Sequence, residues 1–213
     1  MSGKGRAGLV LIVLGIALLI AALSLWQNNR HEALEAEESA REVMDALVLA
    51  MEGRETQETE IPAISAADLP EEAGQEIDTH MDTVEIDGNR YIGFLTIPDL
   101  SLELPVMETW DYERLKIAPC RYSGTLLGND LVIAAHNYLR HFGHLMDLPI
   151  GAEVLFTDVK GNTVRYEVSE LEILQPTDIE SMTAGEYDLT LFTCTYGGAT
   201  RFTVRCERAG NDT

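Results

Sequence analysis

Residues 7–26 form an uncharged, largely apolar run, built mainly of Leu, Ile, Val and Ala. Helical, about twenty such residues cover the hydrocarbon core of a bilayer. No polar face interrupts the run, which excludes the half-wet core helix of a soluble domain. After Gln27 the pattern changes. Acidic residues alternate with an apolar stripe at Ala36, Ala40, Val43, Met44, Leu47 and Met51, and steps of three and four mark an amphipathic helix. The stripe is short and rich in Ala, so we expect a stalk packed on the following domain rather than a dimerising coil. Residues 56–88 are acidic, punctuated by Pro and Gly and poor in large apolar side chains, and are expected to form a mobile linker. No internal repeat interrupts this order.

Beyond residue 88 the period shortens to that of strands. Runs rich in Val, Ile, Leu, Thr, Tyr and Phe place strands over 91–97, 102–107, 130–135, 153–158, 163–174, 188–194 and 200–206. Lys160-Gly161-Asn162 turns one hairpin and Tyr196-Gly197-Gly198-Ala199 another. Short helices or loops are expected over 111–116 and 141–148. Many short strands with such turns predict an all-β domain, a closed barrel or a sandwich. The chain therefore divides into 1–27, a membrane anchor with a short cytoplasmic tail, 28–88, an acidic stalk and linker, and 89–213, the all-β domain.

The last hairpin carries the candidate chemistry. A turn over 196–199 sets Cys194 opposite Arg201, and directly paired residues have Cβ atoms about 5 Å apart on one face. A guanidinium beside a thiol favours the thiolate, and it is also a fixed donor to an oxygen that turns negative in acyl transfer. The same parity turns Cys206 the other way, into the core with Phe202 and Val204. Cys120, in Ala118-Pro119-Cys120-Arg121, reads as an ordinary partly buried thiol in a loop or at a strand edge.

Composition bounds the partners. Fifteen Lys and Arg against 36 Asp and Glu give a formal net charge of -21, which argues against nucleic acid or an anionic membrane surface. Lys4 and Arg6 precede the apolar run, so the positive-inside rule puts the start of the chain in the cytoplasm and the rest outside. Small residues at Ala21, Ala22 and Ser24 also permit a cleaved signal peptide, and the length of the run favours an uncleaved single-pass anchor.

Thr190-Leu191-Phe192-Thr193-Cys194 resembles the TLxTC signature of sortases, the cysteine transpeptidases of Gram-positive surfaces. Arg201, in Thr200-Arg201-Phe202-Thr203-Val204, matches their active-site arginine. Leu131-Val132-Ile133-Ala134-Ala135-His136-Asn137 resembles the strand that ends in their histidine, with Ala135 in place of the usual Gly. Gly93-Phe94-Leu95-Thr96-Ile97-Pro98 and Leu104-Pro105-Val106 resemble their first two strands. The resemblance implies a closed eight-stranded sortase-type barrel with short helices, and a catalytic set of His136, Cys194 and Arg201. It also implies that the segment after Leu174 is the substrate-recognition loop. Pro176, Ile179 and Met182 are then expected to contact the substrate, with Thr193 and Thr195 beside the thiol and Asn137 beside the histidine.

The implied reaction cleaves an LPxTG-like C-terminal sorting signal through a thioacyl enzyme. The protein is then transferred to an amine acceptor, a peptidoglycan precursor or a pilin. His136-Asn137 resembles class B members, whereas the short segment between Leu174 and Asp188 is nearer to class D. No organic cofactor is implied, and no cluster of carboxylates demands calcium. Three rival readings use the same residues or fold: a secreted cysteine protease with the same Cys-His pair, a non-catalytic surface-binding barrel, and a zinc hydrolase using His136, His141, His144 and Cys194. The zinc reading lacks an HExxH pattern.

Overall fold

The computed structural model describes residues 3–55, 81–184 and 186–210. The first element is one long helix, α1 (Gly3–Glu55), which runs through both the apolar stretch and the acidic stalk. Leu11–Asn28 is long and apolar enough to cross a membrane, and none of it is buried inside the protein. Farther along the same helix Ala36, Ala40, Val43, Met44 and Leu47 are buried, and α1 contacts the following domain over residues 84–86, 102–107 and 114–117. The predicted stripe therefore docks on the domain. Residues 56–80, most of the expected linker, lie outside the described residues. The last part of that expected linker holds strand β1 (Val84–Ile86), which pairs with the next strand.

Eight further strands close the barrel. They are β2 (Asn89–Ile97), β3 (Leu102–Met107), β4 (Cys120–Ser123), β5 (Leu131–Ala135), β6 (Glu153–Asp158), β7 (Thr163–Leu174), β8 (Leu189–Cys194) and β9 (Arg201–Arg208). The order is β1-β2-β3-β4-β5-β8-β9-β7-β6, and β6 pairs back onto β2, so among the described residues only the appended β1 stands outside the closed ring. Closure removes the exposed sheet edges on which other chains pair. At the β2–β6 seam Gly93 has φ +150, and a Cβ there would lie 2.0 Å from the Thr157 carbonyl oxygen, so the seam requires glycine.

Two short helices, α2 (Arg114–Ile117) and α3 (Ile179–Thr183), decorate the outside. At the start of α2 the Arg114 amide and guanidinium both donate to the Asp111 carboxylate, which lowers that carboxyl from its ordinary range. The core divides into two clusters. Leu95, Ile97, Ile133, Phe156, Leu191, Val204 and Cys206 meet inside the barrel. Val43, Leu47, Met107, Cys120, Ala134 and Phe192 form a second layer outside the sheet, toward α1. Strand β5 is buried on both faces, which explains its unbroken apolar run.

Candidate active site

Register assembles the site. β5 and β8 run parallel with Ala134 beside Phe192 and Ala135 beside Thr193, so the next step sets His136 beside Cys194. β8 and β9 run antiparallel, and Cys194 faces Arg201 directly. The thiol thus stands at the end of the middle strand of three, about 4.8 Å of sheet spacing from each neighbour. Parity puts all three side chains on the outer face, together with Ala134 and Phe192. His136, Cys194 and Arg201 line one cavity of about 210 Å³.

Each group is held locally. Thr193 points inward, and its hydroxyl donates to the Ala135 carbonyl oxygen at 2.9 Å, tying the strand that ends in Cys194 to the strand that leads to His136. Thr195 and Thr200 clamp the β8–β9 turn: their hydroxyls lie 2.8 Å apart and the Thr200 amide donates to Thr195 Oγ1. Gly197 and Gly198, at φ 76 and 73, supply the left-handed backbone that this turn needs. Arg201 Nη1 donates to the carbonyls of Gly198 and Thr200, both at 3.2 Å. After His136 the chain doubles back, with the Phe142 amide donating to the His136 carbonyl and the Gly143 amide to that of Tyr138. A Cβ at Gly143 would meet the Tyr138 carbonyl oxygen at 2.6 Å, so only glycine fits this return. Tyr138 stacks on the His136 ring at 4.8 Å.

The three thiols differ in environment. Burial pushes Cys206 up to about 12, and burial, then the Asp111 charge, does the same to Cys120. Neither forms a thiolate near neutrality. They sit in separate core clusters, and all three cysteines are free. Cys120 lies in strand β4, fully buried, which corrects the expected partly buried loop or strand edge. Cys194 alone is half-exposed.

Of the expected substrate contacts, Pro176, Ile179 and Met182 line the cavity, with Ile179 and Met182 on α3. Thr193, Thr195 and Asn137 are not among its lining residues. Thr193 and Thr195 brace the strands instead, and Asn137 is exposed in the loop after β5. The opposite wall was not anticipated. Tyr112, Trp110, Tyr122 and Phe192 form a ladder with successive ring centroids at 6.0, 5.2 and 5.2 Å, running from the rim to the cavity floor. The available signal was Trp110, one of only two tryptophans, standing next to Asp111 in a polar stretch.

The histidines do not converge on a metal. His144 pairs with Asp147 at the surface at 2.8 Å. His141 is fully buried beside Tyr138, and burial, followed by the nearby His136, pushes it down to about 4. No group of three or more metal-ligating side chains gathers among the described residues.

A family model for the sortase domain matches residues 95–209. The chain belongs to the sortase family. Sortases are transpeptidases, and the closed barrel is the fold of that family. Among solved structures, sortase C1 from Streptococcus suis matches at 29% identity and TM-score 0.51, covering 56% of this chain and 73% of that one. Sortase C1 from Streptococcus agalactiae matches at 26% and 0.52, covering 60% and 72%. Sortase C from Clostridium perfringens, at 24% and 0.50 over 56% and 70%, shares the fold. No curated protein matches the chain.

Proposed function

We propose that this sortase is a membrane-anchored enzyme that cleaves an LPxTG-like sorting signal and passes the acyl fragment, the protein on the N-terminal side of the cut, to an amine. The observation that carries the reading is the register that flanks Cys194 with His136 and Arg201 at the end of an apolar cleft. The Cys194 thiolate attacks the Thr carbonyl of the signal. The carbonyl oxygen becomes negative and accepts hydrogen bonds from the Nε and Nη2 side of Arg201, whose Nη1 is held by the turn. As the peptide C–N bond breaks, His136 protonates the leaving amine, and a thioester on Cys194 remains. An incoming amine then attacks the thioester, His136 takes its proton, and the thiolate leaves.

The signal's Leu and Pro fit between α3 and the aromatic ladder, where apolar side chains and a proline ring find matching surface. The acceptor is a peptidoglycan precursor or a pilin amine. The apolar half of α1, led by Lys4 and Arg6, is read as a single-pass anchor with the barrel outside. Residues 1–27, 28–88 and 89–213 are then anchor, stalk with linker, and catalytic domain.

Full-length protein in detergent, incubated with a library of pentapeptide signals with and without an amine, tests this reading by intact mass. The expected species is a thioacyl adduct on Cys194 that turns over to an amide product when amine is added. Turnover to free acid alone, at an unchanged rate with amine, would make the protein a cysteine protease instead.

A further inference from the structure

Four residues beyond Arg201 on the same face of β9, about 13 Å along the strand, lies a second arginine. Arg205 is 3% exposed and faces Thr190 across the hairpin. Its Nε donates to Glu172 Oε1 at 2.6 Å and its Nη1 to Thr190 Oγ1 at 2.9 Å. The remaining bonds go to a different element. Nη1 also donates to the Met182 carbonyl at 3.2 Å and Nη2 to the Ser181 carbonyl at 2.6 Å. These carbonyls belong to the end of α3, where a helix has no internal donors left to offer them. The guanidinium is covered by the Tyr187 ring at 5.0 Å, and the Tyr187 hydroxyl donates to Glu170 at 2.6 Å.

We infer that Arg205 is the positioning residue of the substrate-recognition segment. A five-residue helix lacks the length to hold itself. Arg205 supplies what is missing, because one planar fork joins strands β7 and β8 to two consecutive carbonyls of α3. The helix so held turns Met182 onto Thr203, whose hydroxyl lies 4.0 Å from the sulfur, and sets Ile179 and Met182 opposite the aromatic ladder. Arg205 therefore fixes the width of the cleft that receives the signal's apolar residues, while Arg201 serves the reacting carbonyl. Two arginines on one strand face divide binding from chemistry.

The test compares full-length parent, Arg205→Lys, Arg205→Met and Glu172→Gln by amide hydrogen exchange over residues 179–184, by KM and kcat for the sorting peptide, and by alkylation of Cys194 with iodoacetamide. An ammonium reaches one acceptor and not the set, so Arg205→Lys should accelerate exchange over α3 and raise KM about tenfold, with kcat and alkylation within about twofold. Glu172, at 29% side-chain exposure, tolerates neutralisation, so Glu172→Gln should move both readouts the same way by a smaller factor and decides the matter if Arg205→Met fails to fold. Parent-like exchange and KM in both Arg205→Lys and Glu172→Gln would overturn the assignment, as would a fall in kcat at unchanged KM. The KM arm rests on the transpeptidase reading and the exchange arm does not. If no peptide reacts with the parent while exchange still responds, that reading fails and the staple stands.

Discussion

Inward, β8 and β9 present Leu189, Leu191, Phe202, Val204 and Cys206 to the barrel core, while outward they present Thr190, Phe192, Cys194, Arg201, Thr203 and Arg205. Six residues of each strand alternate between the two faces, so one register decides which side chains pack in the core and which face the cleft. The two cysteines make the contrast sharpest. Cys206 is a buried thiol held protonated by its surroundings, and Cys194 is a half-exposed thiol between a guanidinium and an imidazole. What separates the proposed nucleophile from a core residue here is strand parity, twelve positions apart and on opposite faces.

Substitutions on the two faces should therefore fail differently. The largest effect is expected from Cys194→Ala, which should abolish adduct formation and turnover while leaving the urea midpoint near that of the parent, since the side chain contributes little packing. Residual turnover above background would remove Cys194 from the chemistry. Inward, Leu191→Ala should cost about 2 to 5 kcal/mol of stability, read as a lower urea midpoint, because a fully buried leucine leaves a cavity. Thiol alkylation at Cys194 in the still-folded fraction should persist.

Next in size, Arg201→Lys should keep the charge and lose about 100-fold or more in kcat, as expected when a fixed donor to the oxyanion is removed. Near-parent kcat would restrict Arg201 to favouring the thiolate. Two histidines extend the contrast. His136 should give a bell-shaped pH profile, one limb for the base and one for the acid. His141 has its folded pKa lowered from 6.5 to about 4, so unfolded chains bind the proton first. The stability it supports is complete above about 6.5 and is lost as the pH falls toward 4. Melting temperature measured across that window should fall less in His141→Phe than in the parent, and parallel curves would contradict its buried, neutral state. The smallest effect is Cys206→Ser, expected to cost about 1 to 3 kcal/mol by placing a hydroxyl in the core, with adduct formation retained.

The hairpin was legible because its information is local. Alternating Leu, Thr and Phe, a Gly-Gly turn and a Cys-to-Arg spacing fix its register, and the β5 run up to His136 is legible for the same reason. The docking stripe of α1 was equally plain from its spacing. Strands β1 and β4 were missed because three or four residues carry no period of their own, and both owe their existence to neighbours already in the sheet. Helix α3 read as loop for a related reason: it is held by Arg205, far along the chain, rather than by its own propensity. The aromatic wall escaped because Tyr112, Trp110, Tyr122 and Phe192 meet only when the β3–β4 connection folds over β8.

The proposed chemistry rests on one thiol between one imidazole and one guanidinium. Intact-mass analysis of the full-length protein after mixing with a reactive sorting peptide, in the parent, Cys194→Ala and His136→Ala, tests it most directly. A single adduct with the mass of the acyl fragment should form on the parent, map to Cys194, and be missing from both variants. An adduct on Cys120 or Cys206, or one that forms equally on Cys194→Ala, would contradict it.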